Sequence, residues 1–296
     1  MAKIQTSVVI PCFNEALGVK KTLDEIFQVL DETTDFEIIA VDDGSSDETF
    51  SLLQEIASRS TQLKVLQNKI NKGYGTSLKR GIREAKGEII VITDSDGTYP
   101  ASAIPELLDE LKECDMAVGA RIGPNVQVPL VRRPAKWVLL CYARWMARAD
   151  IKDLNSGLRA FRKKDALRFF PLLPEGFSFT STITLAMHVN GMQVSYLPIN
   201  YRKRIGKSSI RPIRDTLAFF SLVLRTTMYF RPLQVFGSLS GFLIASSIAI
   251  GVIGKIYLGE VPDVASVSLF STGLIFLGLG LIGDLVNVSR KSIDRS

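Results

Sequence analysis

Glu88-Ile-Ile-Val-Ile-Thr93 runs straight into Asp94-Ser95-Asp96 and then Gly97-Thr98-Tyr99-Pro100. A short apolar, β-branched run closed by acids and turn residues reads as a buried strand. Its two carboxylates, one residue apart where the strand ends, suit a divalent cation bound through hard oxygens. Mg2+ or Mn2+ fits such a pair, with substrate phosphates completing the shell. On its own, Asp-x-Asp also serves to cap a following helix, so the setting has to decide.

Upstream, strand-like and helix-like stretches alternate. Thr6-Ser-Val-Val-Ile10 is closed by Pro11 and Asn14, and Val19 to Leu30 has helical spacing. Phe36-Glu-Ile-Ile-Ala-Val41 ends in Asp42-Asp43-Gly44, after which Ser46 or Asp47 can cap a helix running toward Ile56. Leu63 to Leu66 forms a third strand, and Gly75 to Ala85 a third helix. The alternation predicts an α/β domain with a mostly parallel sheet and helices on both faces. Ligands of such sheets bind beyond the carboxyl ends of the strands. Asn14-Glu15, Asp42-Asp43 and Asp94-Ser95-Asp96 therefore fall along one rim.

Several chemistries are disfavoured. The turn after the first strand, Pro11-Cys-Phe-Asn-Glu15, lacks the glycines of a dinucleotide site. Gly73 and Gly75 open such a fingerprint, but Leu78 stands where its third glycine belongs, and no Walker A sequence occurs. Cys12, Cys114 and Cys141 have no metal-ligand spacing, and His188, the single histidine, has no partner motif for a Ser-His-Asp hydrolase.

The C-terminal part has a different composition. Neither Leu233–Gly254 nor Val264–Gly283 contains a charged side chain. Each matches the roughly 20 apolar residues that cross a bilayer core of about 30 Å. Arg225 and Arg231 precede the first run, and Arg290, Lys291 and Arg295 follow the second; the connecting loop offers only Lys255 against Glu260 and Asp263. The positive-inside rule puts both ends in the cytoplasm. Ile213 to Tyr229, with Leu217, Phe219, Phe220 and Leu222 between Arg214 and Arg225, reads as an amphipathic helix in the membrane interface. The net charge of +6 is gathered between Arg202 and Arg231, which favours a membrane surface over nucleic acid as partner. The expected organisation is a domain over 1–210, a juxtamembrane region over 211–232, spans near 233–254 and 264–285, and a tail over 289–296.

Taken in order and spacing, Pro11-Cys-Phe-Asn-Glu15, Asp42-Asp-Gly-Ser-Ser-Asp47, Lys72-Gly-Tyr-Gly75 and Asp94-Ser-Asp96 resemble the family 2 glycosyltransferases of GT-A fold. Asp153-Leu-Asn-Ser-Gly-Leu-Arg159 and Arg202-Lys-Arg-Ile-Gly-Lys-Ser208 resemble one branch of them. That branch holds dolichyl-phosphate mannose synthases and bacterial polyprenyl-phosphate glycosyltransferases, and the pair of terminal spans matches its bacterial and archaeal members. The resemblance covers about residues 5–210.

It implies that Pro11, Phe13 and Glu15 line the nucleotide base, that Asp43 holds base or ribose, and that Gly75 belongs to the donor site. Asp94 would contact the donor and Asp96, with Asp94, would hold the metal bridging its diphosphate. Arg121, Arg132, Arg133, Arg204 and Lys207 would gather around the phosphates of donor and lipid, with Ser156 and Arg159 shaping the acceptor pocket. Asp94, Asp96, Arg121 and Arg204 would form the catalytic set. Two residues depart from the pattern: Thr98, where many relatives carry Gln, and Lys136, where relatives often carry Ser.

The implied reaction moves a hexose from a UDP- or GDP-sugar to polyprenyl phosphate with inversion, from the cytoplasmic face of the plasma membrane. A lipid phosphate is already an anion at neutral pH, so no general base is required. Two alternatives stand beside this reading. A processive polysaccharide synthase would carry Gln-x-x-Arg-Trp, whereas this chain has Cys141-Tyr-Ala-Arg-Trp145. A non-catalytic nucleotide-sugar scaffold would not need the acidic pair. Gly237, Gly241, Gly273 and Gly280 permit close helix packing and leave a homo-oligomer open.

Overall fold

The computed structural model describes residues 4–30, 35–122, 140–141, 143–176, 178–202, 224, 228–229 and 231–293. The chain forms two compact units, divided after Phe219.

In the first unit the strands are β1 (Thr6–Cys12), β2 (Phe36–Asp42), β3 (Leu63–Gln67), β4 (Ile89–Ile92), β5 (Met116–Ala120), β6 (Arg159–Arg162) and β7 (Val194–Pro198). The helices are α1 (Val19–Leu30), α2 (Thr49–Arg59), α3 (Tyr74–Glu84), α4 (Ile104–Glu110), α5 (Lys163–Phe169) and α6 (Phe179–Val189). The seven strands make one sheet in the order β3-β2-β1-β4-β6-β5-β7. Pairing is parallel except around β6, which runs against both β4 and β5.

β1 and β2 are buried along their whole length, as centre strands covered on both faces must be. Val8, Ile10, Ile38 and Ala40 pack with Leu23 and Ile26 of α1 and Ile104 and Leu107 of α4. On the opposite face α3 lies against the sheet, where a side chain at Gly81 would collide with Val9 and approach Val41. The first four strands lie where the sequence predicts them. β5, β6 and β7 were not predicted, and the antiparallel β6 makes the sheet mixed.

The register sets the site. Cys12 is level with Asp42, Asp42 with Gln67, and Ile92 with Arg159. The ends of β1, β2, β4 and β5 and the start of β6 therefore share one rim.

The second unit is a helical hairpin. α7 (Pro232–Leu258) and α8 (Asp263–Ile293) are each long and apolar enough to cross a membrane. Only 11% of either apolar window is buried, so these are not the core helices of a soluble domain. Inside the hairpin a side chain at Gly273 would lie 2.7 Å from Ile244 Cγ1, and one at Gly280 would lie 3.1 Å from Phe236 Cβ. Phe236 and Phe276 stack at 6.0 Å, and Ser247 Oγ donates to Ser266 O at 2.6 Å. Among the described residues, nothing lies within 4 Å of the missing side chain of Gly241. Two of the four glycines noted above thus serve the hairpin itself. α8 continues to Ile293, through part of the stretch expected to be a tail.

Candidate active site

The loops after β1 and β2 are laced together. Asn14, with φ 55°, donates its amide to Ser45 Oγ at 3.0 Å and accepts from the Ser46 amide at 2.8 Å. The Glu15 amide donates to Thr49 Oγ1 at 2.8 Å. Asp47 accepts from the amides of Ala16 at 3.2 Å and Thr49 at 3.0 Å. Glu48, not Ser46 or Asp47, is the residue at the helix boundary, but it makes no side-chain cap; Asp47 supplies the acceptor. Burial alone would raise the Asp47 carboxyl, and the hydrogen bonds from Thr49 and Ala16 outweigh it and hold it below the usual range. Phe13 is left 39% exposed at the mouth of this pair of loops, while Pro11 and Glu15 are buried.

Asp43 turns into the protein. It accepts from Asn68 Nδ2 at 2.7 Å, the Lys72 amide at 2.9 Å and the Gly73 amide at 2.7 Å. This carboxylate shapes the Lys72–Gly75 loop. Gly73 has φ 97°, and a side chain there would lie 2.7 Å from Glu175 O. Gly75 faces Pro174 O so closely that no side chain fits. Both glycines are thus required by backbone conformation or by close approach.

The segment after β4 is held from three sides. Ser95 Oγ donates to Pro11 O at 3.1 Å, and Thr22 of α1 donates to Ser95 O at 3.2 Å. Asp96, 5% exposed, accepts at Oδ1 from the Thr98 amide at 3.1 Å and from the Thr98 hydroxyl at 2.6 Å. Thr98 thus orients the Asp96 carboxylate. Asp94 Oδ1 accepts from the Tyr74 hydroxyl at 3.0 Å. Gly157 lies against the Asp94 carboxyl, where a side chain would come within 2.7 Å of Oδ2.

Across the rim, Arg121 meets Asp153 in a bidentate pair: Nε to Oδ2 at 2.8 Å and Nη2 to Oδ1 at 2.9 Å. Asp153 also receives the amides of Arg121 at 3.0 Å and Asn155 at 3.1 Å. The Arg121 guanidinium lies 5.4 Å above the Tyr201 ring, and Tyr201 meets Tyr99 edge-on at 5.2 Å. The Arg202 amide donates to Thr98 O at 2.9 Å.

Arg159 and Ser156, expected near the acceptor phosphate, are wholly buried. Arg159 reaches Ser156 O from Nε at 3.1 Å, and through Nη1 it reaches Thr180 O at 2.8 Å and Thr184 Oγ1 at 2.7 Å. Burial pushes its guanidinium pKa down. Ser156 Oγ donates to Gly119 O at 2.5 Å. Arg132, Arg133, Lys136, Arg204 and Lys207, and most of the proposed interfacial helix, lie outside the described residues.

The structure therefore brings Pro11, Phe13, Glu15, Asp43, Gly75, Asp94, Asp96, Arg121, Ser156 and Arg159 to one rim. It adds Tyr74, Tyr99, Asp153, Gly157 and Tyr201. Tyr74, Asp153 and Gly157 stand within the motifs quoted above, but nothing in the linear pattern says what their side chains or backbones touch. Cys12 ends β1, buried, and burial pushes its thiol up to about 12. A shallow polar cavity of about 380 Å³, lined by Cys114, Asp115, Arg162 and Gln193, lies at the opposite rim, away from these groups.

The glycosyl transferase family 2 model matches residues 7–170. This chain belongs to that family. Among its relatives, the dolichol-phosphate mannosyltransferase of Pyrococcus furiosus is 31% identical over 191 residues, or 62% of this chain and 53% of that enzyme. The chain thus spans about half of that relative's length. The undecaprenyl-phosphate 4-deoxy-4-formamido-L-arabinose transferase of Pseudomonas savastanoi is 28% identical over 94% of this chain and 84% of the relative. Glucosyl-3-phosphoglycerate synthase from Mycobacterium tuberculosis, solved with Mn2+, UDP and phosphoglyceric acid, superposes with a TM-score of 0.58 at 19% identity. That superposition covers 75% of this chain and 78% of the synthase. It bears out the GT-A fold that the motifs imply.

Proposed function

We propose that this family 2 glycosyltransferase moves a sugar from a nucleotide-sugar donor onto a polyprenyl phosphate at a membrane surface, with inversion at the sugar carbon. One observation carries the reading. The acidic pair after β4 shares a rim with the arginine-braced loop before β6, in a chain that also holds two membrane-spanning candidates. The relatives named for dolichyl- and undecaprenyl-phosphate products support it, and the Pseudomonas relative aligns through the hairpin. Basic residues on both flanks of the hairpin support a cytoplasmic site. The outward Gly241 leaves room for a second copy in the membrane.

Pro11, Phe13 and Glu15 would receive the base. Asp43 would act through the Lys72–Gly75 loop it orders, placing Gly75 beside the donor. Asp96, oriented by Thr98, and Asp94 provide the hard oxygens that Mg2+ or Mn2+ takes. Among the described residues, no group of three or more His, Cys, Asp and Glu could hold a metal by itself. The fit therefore requires the donor's phosphate oxygens in the shell. When bound, the cation offsets charge developing on the leaving diphosphate. Arg121 uses Nε and Nη2 on Asp153; among the described residues Nη1 makes no hydrogen bond, which leaves it for a phosphate oxygen. Arg159 and Ser156 would set the loop's shape from beneath. Arg132, Arg133, Arg204 and Lys207 would complete the basic surface. With an ionised phosphate as nucleophile, the residues have to position it and exclude water.

The test incubates the full chain in membranes with a panel of radiolabelled UDP- and GDP-sugars and undecaprenyl phosphate. Label should enter the organic phase as a single-sugar product, and Asp96→Ala should abolish it, by more than about 10³-fold. A product of several sugars would favour a processive synthase.

A further inference from the structure

Asp94 is gripped between the two loops that flank it. From one side, the Tyr74 hydroxyl donates to Oδ1 at 3.0 Å. From the other, the Gly157 backbone lies so close that a β-carbon would fall 2.7 Å from Oδ2 and 2.8 Å from Oδ1. Neither jaw is loose. Tyr74 begins α3, whose entry is held by the Lys72 and Gly73 amides on Asp43 and by the Thr76 amide on Glu175 O at 3.0 Å. Gly157 donates its amide to the Tyr99 hydroxyl at 2.6 Å, and Tyr99 packs against Tyr201.

A carboxylate on a single carbon has a broad terminal torsion, so an aspartate at a strand end turns readily unless something fixes it. A cation bound at the rim would attract it and compete to turn it. The phenol is a directional contact that favours one orientation.

We propose that Tyr74 is a positioning residue for the transfer step: its hydroxyl holds the Asp94 carboxylate toward the donor sugar without itself binding the nucleotide. This inference rests on the glycosyl-transfer reading above. It predicts a division of effects: Tyr74→Phe leaves both carboxylates in place for the cation and the nucleotide, and changes only the direction in which Asp94 meets the sugar.

The experiment uses full-length wild type, Tyr74→Phe, Asp94→Asn and the double variant, with whichever nucleotide sugar the wild type accepts. Kinetics with undecaprenyl phosphate are paired with calorimetric titration of UDP and GDP in Mg2+. Tyr74→Phe removes one oxygen and keeps the ring. It should lower kcat about tenfold or more, the range for a hydrogen bond to a charged group. Nucleoside-diphosphate affinity should stay within about twofold, the split expected when a transition-state contact is lost rather than uniform binding. On the Asp94→Asn background the same change should have little further effect, since the two residues act as one unit. An unchanged kcat overturns the proposal. So does a parallel loss of nucleotide affinity, additivity in the double variant, or a Tyr74→Phe chain that does not accumulate folded, because each points to a structural role. A wild type inactive with every donor would sink the transferase reading instead, and so separates the two failures.

Discussion

Glycine does different work in the two units of this protein. At the rim of the candidate site, Gly73, Gly75 and Gly157 lie against carbonyl and carboxylate oxygens, and a side chain would push polar groups out of register. In the hairpin, Gly273 and Gly280 lie against Ile244 and Phe236, and a side chain would push apart two apolar helices. The first set protects the geometry of the proposed site, the second an area of van der Waals contact. The same substitution should therefore damage activity in one unit and stability in the other.

Gly157→Ala should break the comparison most visibly. Its β-carbon would displace the Asp94 carboxyl, and a misplacement of about 1 Å at a reacting centre can cost 10²-fold. Steady-state assays should record a fall in kcat of about that size, with thermal stability changed much less. Equal losses in folding and turnover would merge the two classes.

Gly273→Leu should do the reverse. Overpacking typically costs about 1–3 kcal/mol, read as lower resistance of the detergent-solubilised hairpin to heat, while turnover per folded molecule stays at the wild-type value. Gly241→Leu, where no described residue lies within 4 Å, should leave hairpin stability alone. A change in its crosslinked mass would instead reveal a second copy on that face.

The smallest effect sharpens the contrast on the polar side. The Asp47 carboxyl is held below its unfolded value, so it contributes stability above the ordinary carboxylate range. That contribution fades as pH falls through the folded value. Asp47→Asn should therefore flatten the acid side of the stability curve, most clearly below about pH 4, and leave it unchanged at pH 8. An identical slope in the variant would mean that the two loops do not depend on this charge.

Parts of the molecule were legible in the chain itself. The strands that lead to Cys12, Asp42 and Asp94 announce themselves as apolar, β-branched runs, two of them ending in acids, and their loops had to emerge together once the sheet was parallel. β6 was not legible. Arg159-Ala-Phe-Arg162 looks polar, and its place between β4 and β5 depends on pairing with residues far away in sequence. The same holds for charge. Arg121 and Arg159 are expected near phosphates, but nothing in the linear pattern says that one is braced by Asp153 and the other buried on Thr180 and Ser156.

By itself, then, the sequence determined the order of elements, the two apolar spans and the acidic rim, because periodicity, composition and strand ends are local properties. Only the tertiary structure decided that Asp43 orders a loop, that Thr98 aims Asp96, and that Tyr74 and Gly157 close on Asp94. A side chain's hydrogen-bond partner is fixed by where the fold brings distant backbones, and no local pattern encodes that distance.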